Sequence, residues 1–159
     1  MQSEPGHGAT FQVGFPALAA TPASDTRAAA PPKPRGGTET ILLAEDDDGM
    51  RMVARLTLER SGYRVVEAAS GVAALALWPE YRGTAALLLT DLVMPGGVSG
   101  QQLSARLRAD NAGLKVVFMS GYSAELAGRE LHLEPGQSFL QKPFAPQLLL
   151  EAVRRALDG

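Results

Sequence analysis

No cysteine occurs in the chain, which excludes disulfides, thiolate metal sites and cysteine nucleophiles. Long hydrophobic runs are missing too: stretches such as Ala85–Leu89 are far too short to cross a bilayer, and no membrane contact is expected. The start has no basic segment followed by an apolar block, so no signal peptide is expected, and a reducing, cytoplasmic setting fits. Neither sign of charge dominates. A net charge of −2 argues against a polyanionic partner such as nucleic acid. What is present is 159 residues, 45% apolar and 20% charged, which suffices for one ordinary soluble domain and some excess.

Composition changes near residue 37. Residues 1–36 hold eight Ala, six Pro and four Gly but only three basic and two acidic side chains, so they carry +1 and leave −3 for the rest. Within them, 17–38 reads as a semi-extended Ala/Pro-rich linker, because it cannot bury enough apolar surface to offset chain entropy. Residues 1–36 are therefore expected to be disordered or loosely packed.

From Glu39 onward, short apolar strands alternate with helical segments. Ile41–Ala44, Tyr63–Ala68, Ala85–Thr90, Val116–Met119 and Ser138–Leu140 read as strands, the unbroken apolar ones as buried on both faces. Met50, Val53, Ala54 and Leu58 recur at helical spacing, with Gly62 as a stop. A second helix is expected from Gly71 to Trp78, halted by Pro79. Ser99 to Gln102 has the form of a capping box, opening a helix with Leu103 and Leu107. Ser123–Leu133 is a weak helix interrupted by Gly128, and the last helix runs from Pro146 through Leu149, Val153 and Leu157. Arg154 and Arg155 suit its negative end. This alternation predicts a doubly wound α/β fold, a five-stranded parallel sheet with helices on both faces.

Active groups in such sheets gather at the carboxyl ends of the strands. That rule selects Glu45 and Asp46 after the first strand, Asp91 after the third, Ser120 after the fourth and Lys142 after the fifth. Converging carboxylates suit a hard divalent cation, which for magnesium means one or two carboxylates plus waters and a phosphate oxygen. Lys142 adds fixed positive charge and Ser120 a hydroxyl donor. Together these are what phosphoryl transfer to a nucleophilic aspartate requires. Any one of these residues alone could be an ordinary loop or turn residue; all of them at the ends of the right strands is a poor coincidence. Asp47 and Asp48 fit a helix start, Trp78 fits helix packing, and His7 and His132 lack partners at metal-ligand spacing.

The segments Ile41–Asp47, Leu89–Pro95, Phe118–Tyr122 and Leu140–Phe144 resemble the four signature blocks of response-regulator receiver domains, over Glu39 to Gly159. The resemblance implies the flavodoxin-like receiver fold, with strand order 2-1-3-4-5. It implies Asp91 as phosphoacceptor, with Mg2+ held by Glu45, Asp46, Asp91 and the Val93 backbone carbonyl. Ser120 and Lys142 would bind the phosphoryl group. Ser120 and Phe139 would form the conformational switch, phenylalanine lacking any hydroxyl-dependent contact. A cis Lys142–Pro143 peptide is also implied. Val93 and Tyr122 fall where the family's hydrolytic water approaches. Gly6–Pro16 resembles the closing strand of a histidine-kinase ATP-binding domain, and the Met94–Gly100 loop resembles receivers fused to hybrid sensor kinases. The expected organisation is therefore 1–16 kinase tail, 17–38 linker and 39–159 receiver. The phosphodonor would be a phosphohistidine on its own kinase domain or on a histidine phosphotransfer protein, and the set is compatible with a homodimer. Such a receiver promotes its own phosphorylation and dephosphorylation without being a kinase.

Two other readings compete. Haloacid-dehalogenase hydrolases also form an aspartyl phosphate, but want a second Asp two residues after the nucleophile, where this chain has Val93. A nucleotide-binding doubly wound domain wants a Gly-rich loop after the first strand, and none is there.

Overall fold

A computed structural model describes residues 36–121 and 134–159, together with the backbone of 2–4 and 8–10. The chain divides into two units, Met1–Pro31 and Pro32–Gly159. In the first, β1 (Gln2–Glu4) and β2 (Gly8–Thr10) pair antiparallel, with Ser3 opposite Ala9. The rest of residues 1–35, His7 included, lies outside the described residues, so the expectation of disorder there does too.

In the second unit, β3 (Thr40–Ala44), β4 (Arg64–Ala68), β5 (Ala85–Asp91), β6 (Lys115–Ser120) and β7 (Gln137–Gln141) form one sheet in the order β4-β3-β5-β6-β7, all parallel. Counted within this unit, that is the expected order 2-1-3-4-5. Alternation along each strand sends successive side chains to opposite faces. Leu42, Ala44, Leu88, Val116 and Phe118 pack on one face with Ala74 and Trp78 of α2 (Gly71–Tyr81) and Leu103 and Leu107 of α3 (Gly100–Asp110). Ile41, Leu43, Leu87, Leu89, Val117 and Met119 pack on the other with Ala54 and Leu58 of α1 (Asp48–Glu59) and Leu149 and Val153 of α4 (Pro146–Asp158). The inner strands β3, β5 and β6 are buried on both faces, which is why they read as near-continuous apolar runs, while the outer strands β4 and β7 carry polar residues such as Glu67 and Gln141.

Local chemistry starts and stops the helices. Asp47 caps α1 by accepting the Met50 N–H at 2.6 Å, and Gly62 leaves it with φ +96°. Ser99 and Gln102 form the expected capping box: Ser99 Oγ accepts the Gln102 N–H at 3.3 Å, and Gln102 Oε1 accepts the Ser99 N–H at 3.1 Å.

Pro79 does not halt α2, which continues to Tyr81. Proline near a carboxyl end forfeits little of the helical ladder, and the Arg82 N–H resumes it by donating to the Trp78 carbonyl at 2.8 Å. Tertiary contacts fix the turn as well: Trp78 is buried, and its indole N–H donates to Asp110 Oδ2 at 3.1 Å. At the end of α4, Arg155 sits in the last turn as expected, but Arg154 instead bridges Glu39 at 2.9 Å and Asp158 at 2.8 Å. The helix expected over Ser123–Leu133, with His132, lies outside the described residues, as does Tyr122.

Candidate functional site

Parallel pairing brings the ends of β3, β5, β6 and β7 to one edge. Glu45 follows β3 and is buried, its N–H donating to the Ala68 carbonyl at 3.1 Å. Asp46 is next and exposed. Asp91 ends β5, where its Oδ1 accepts the Val93 N–H at 3.3 Å. Ser120 ends β6 and is buried; its carbonyl accepts the Lys142 N–H at 2.7 Å, which fixes the residue after β7 beside it. The Lys142–Pro143 peptide is cis.

The side chains converge. One carboxylate oxygen each from Glu45, Asp46 and Asp91 lie within 4.8 Å of one another. Lys142 Nζ donates to Glu45 Oε2 at 2.6 Å and to Asp91 Oδ2 at 2.8 Å, so the ammonium stands between two of the three acids. Burial pushes the Glu45 carboxyl above its usual pKa; Lys142 pulls it back and the Asp91 charge adds to the rise, leaving it raised. Burial would lower the Lys142 ammonium, but hydrogen bonds and charge from Asp91 and Glu45 outweigh it and hold its pKa up.

Three hard oxygen donors of this kind, with an amine nearby, fit a small divalent cation rather than a soft metal. Val93 is exposed beside Asp91. Phe139 lies in β7 opposite Phe118 of β6 and is half-buried against the face carrying α2 and α3.

Two further residues near the site give only faint signals in the sequence. Gly100 opens α3 directly against Asp91: a Cβ there would collide with the Asp91 carbonyl oxygen and stand 3.1 Å from Leu92 Cα. A glycine at a first helical position was the available hint, since glycine is a poor helix former. Arg51, on α1, donates to the Glu45 carbonyl at 2.7 Å. Only its spacing of six residues from Glu45 could have pointed to it.

Residues 41–154 match the family described as the response regulator receiver domain. The chain is 34% identical over 163 residues to the sensor kinase CckA of Brucella abortus, an alignment covering 98% of this chain and 17% of that protein. It is 33% identical over 117 residues to the response regulator receiver protein CpdR of the same organism, covering 74% of this chain and 95% of the relative. The solved receiver domain of hybrid histidine kinase CckA superposes with a TM-score of 0.64 at 38% identity, covering 74% of this chain and 98% of that one. With a fold, a strand order and a sequence match that agree across the unit containing the converged acids and lysine, the chain belongs to the response-regulator receiver family.

Proposed function

We propose that this chain is a phosphoacceptor in a two-component phosphorelay, taking a phosphoryl group from a phosphohistidine onto Asp91. The observation that carries this reading is the convergence of Glu45, Asp46 and Asp91 with Lys142 standing between two of them. A carboxylate oxygen of Asp91 forms the O–P bond as the donor N–P bond breaks, and the electron pair returns to the imidazole. Lys142 and Ser120 receive the negative oxygens of the transferred group. Glu45, Asp46, Asp91 and the Val93 carbonyl hold Mg2+, which supplies charge neutralisation to the phosphoryl oxygens. Ser120 and Phe139 act as the switch, Ser120 drawing toward the phosphoryl group and Phe139 turning into the space it leaves.

The reading extends to the rest of the chain. Residues 1–16 are the tail of a histidine-kinase ATP-binding domain, 17–38 a linker and 39–159 the receiver of a hybrid kinase acting in the cytoplasm. The CckA alignment, which runs through the opening residues as well as the receiver, and the β1–β2 pairing support this. The donor is then a phosphohistidine on the kinase's own domain or on a phosphotransfer protein, and output passes through protein contacts. Among the described residues no helix is long and apolar enough to cross a membrane.

The test is labelling with acetyl phosphate and with a phosphohistidine donor. The wild type should incorporate phosphate only with Mg2+, and Asp91→Asn should incorporate none. Stable labelling of that variant would remove the assignment. Turnover of sugar phosphates by the wild type would favour the hydrolase reading instead. Deleting residues 1–36 should leave the melting temperature and the labelling nearly unchanged.

A further inference from the structure

We propose that Arg51 is a positioning residue for the acidic pair, holding the backbone of Glu45 and Asp46 so that their carboxylates face a small, octahedral cation; this rests on the Mg2+ reading above. Side chains in a helix lean toward its amino end, and Arg51 lies in the first turn of α1, where its own N–H donates to the Asp47 carbonyl at 2.8 Å. Its guanidinium therefore reaches back under the β3–α1 turn. There it donates to the Glu45 carbonyl at 2.7 Å and touches the Asp46 carbonyl at 3.5 Å. The same fork pairs with Asp48, and Nε lies 3.8 Å from Glu67 Oε1. The Arg51 side chain is only 16% exposed, whereas Asp48 is 89% exposed, so water weakens the Asp48 pair far more than the carbonyl contact.

Glu45 is thus gripped twice. Lys142 takes its carboxylate at 2.6 Å, and Arg51 takes its carbonyl at 2.7 Å. The two cations do different work. An ammonium on the carboxylates competes with a metal for the same oxygens. A guanidinium on the carbonyls leaves those oxygens free while fixing the direction from which they approach. The rigid fork turns one nitrogen to the two carbonyls and the other to Asp48 in a fixed arrangement, whereas an ammonium on a flexible stem has donors enough but no such fixed geometry.

Charge and position make opposite predictions for Arg51→Gln. Removing a positive charge beside an acidic cluster should tighten cation binding if Coulomb attraction alone governs the site. If Arg51 positions the ligands, binding should weaken, and Mg2+ should suffer more than Ca2+, because Mg2+ demands near-ideal octahedral geometry and Ca2+ tolerates irregular sites. Calorimetric titration of the whole 159-residue chain with MgCl2 and with CaCl2 reads both. We expect Arg51→Gln to raise the Mg2+ dissociation constant about tenfold or more, the scale for groups supporting metal ligands, with a smaller change for Ca2+. Unchanged or tighter Mg2+ binding overturns the proposal, as does equal weakening for both ions. Should Arg51→Gln fail to melt cooperatively, Arg51→Lys decides: it keeps the charge and loses the fork, and wild-type Mg2+ affinity in it overturns the proposal. A wild type that binds no Mg2+ overturns the underlying reading instead.

Discussion

The two ends of the sheet treat charge differently. At the amino end of β3, Arg154 lies between its acids, donating to Glu39 at 2.9 Å and to Asp158 at 2.8 Å, and Tyr63 packs beside them as a neutral ring. At the carboxyl end, three carboxylates crowd within 4.8 Å of one another around one lysine. The first arrangement matches one cation to two carboxylates. The second leaves net negative charge at one edge, an arrangement suited to receive something positive or a group that must be neutralised. Each end also holds a glycine pressed against its charged groups, Gly37 by Glu39 and Tyr63, and Gly100 by Asp91.

The largest expected effect breaks the crowded end. Lys142→Met should lower Asp91 phosphorylation by about a hundredfold or more, the scale for losing one donor to a developing charge. It should also destabilise the fold by about 3 kcal/mol, because Glu45 is left buried without its cation. Labelling rates and urea melts check both.

The glycines sharpen the contrast. Gly100→Ala forces backbone apart at Asp91 and should cost about 1–3 kcal/mol while slowing phosphorylation. Gly37→Ala would set a Cβ 2.5 Å from Tyr63 Cε1 and 3.0 Å from Arg154 Nη1, and should cost stability while leaving the labelling rate alone. Equal labelling defects in the two variants would end the idea that the sheet ends are independent.

Asp46→Asn should relieve repulsion at the crowded end. The variant should melt at or slightly above the wild-type temperature while binding Mg2+ more weakly; a clear drop in melting temperature would count against crowding as a cost.

The smallest effect belongs to the paired end. Burial alone would raise the Glu39 carboxyl, but hydrogen bonds and charge from Arg154 bring it below its usual 4.5. A lowered pKa stabilises the fold above the usual value, and that contribution is lost as pH falls through the lowered one. Glu39→Gln should therefore cost less than about 1 kcal/mol at neutral pH. The gap to the wild type should close as the pH is taken well below 4.5. A gap that widened in acid would reverse the sign of the argument.

What the sequence disclosed and what it withheld divide along the same physical line. Apolar runs such as Ile41–Ala44 and Leu87–Leu89 are legible because a strand covered on both faces must be apolar throughout. From them the rule about carboxyl ends selects Glu45, Asp91, Ser120 and Lys142 without further information, and the structure brings these residues to one edge. The cap at Ser99 is legible because it acts over three residues, and Asp47 is legible as a helix start, where the structure makes it the cap of α1. Pro79 misled because its local penalty was outweighed by the burial of Trp78 and a bond to Asp110, 32 residues away. Arg51, Gly100 and the Arg154–Glu39 pair were hard to see for the same reason: the contacts that give them meaning follow no periodicity along the chain.

The distances along the chain between the groups at the site carry one more consequence. Lys142 meets Asp91 across 51 residues and Glu45 across 97, so the crowded edge closes only when the first and last strands of the sheet have found their places. Loops of that length are slow to close and bring no contacts until they do. A half-folded or clipped chain would hold every chemical group of the site and still lack the site. On the phosphoacceptor function proposed above, competence to take phosphate would be a readout of complete folding: during refolding, labelling of Asp91 should rise together with the last-forming structure and never ahead of it.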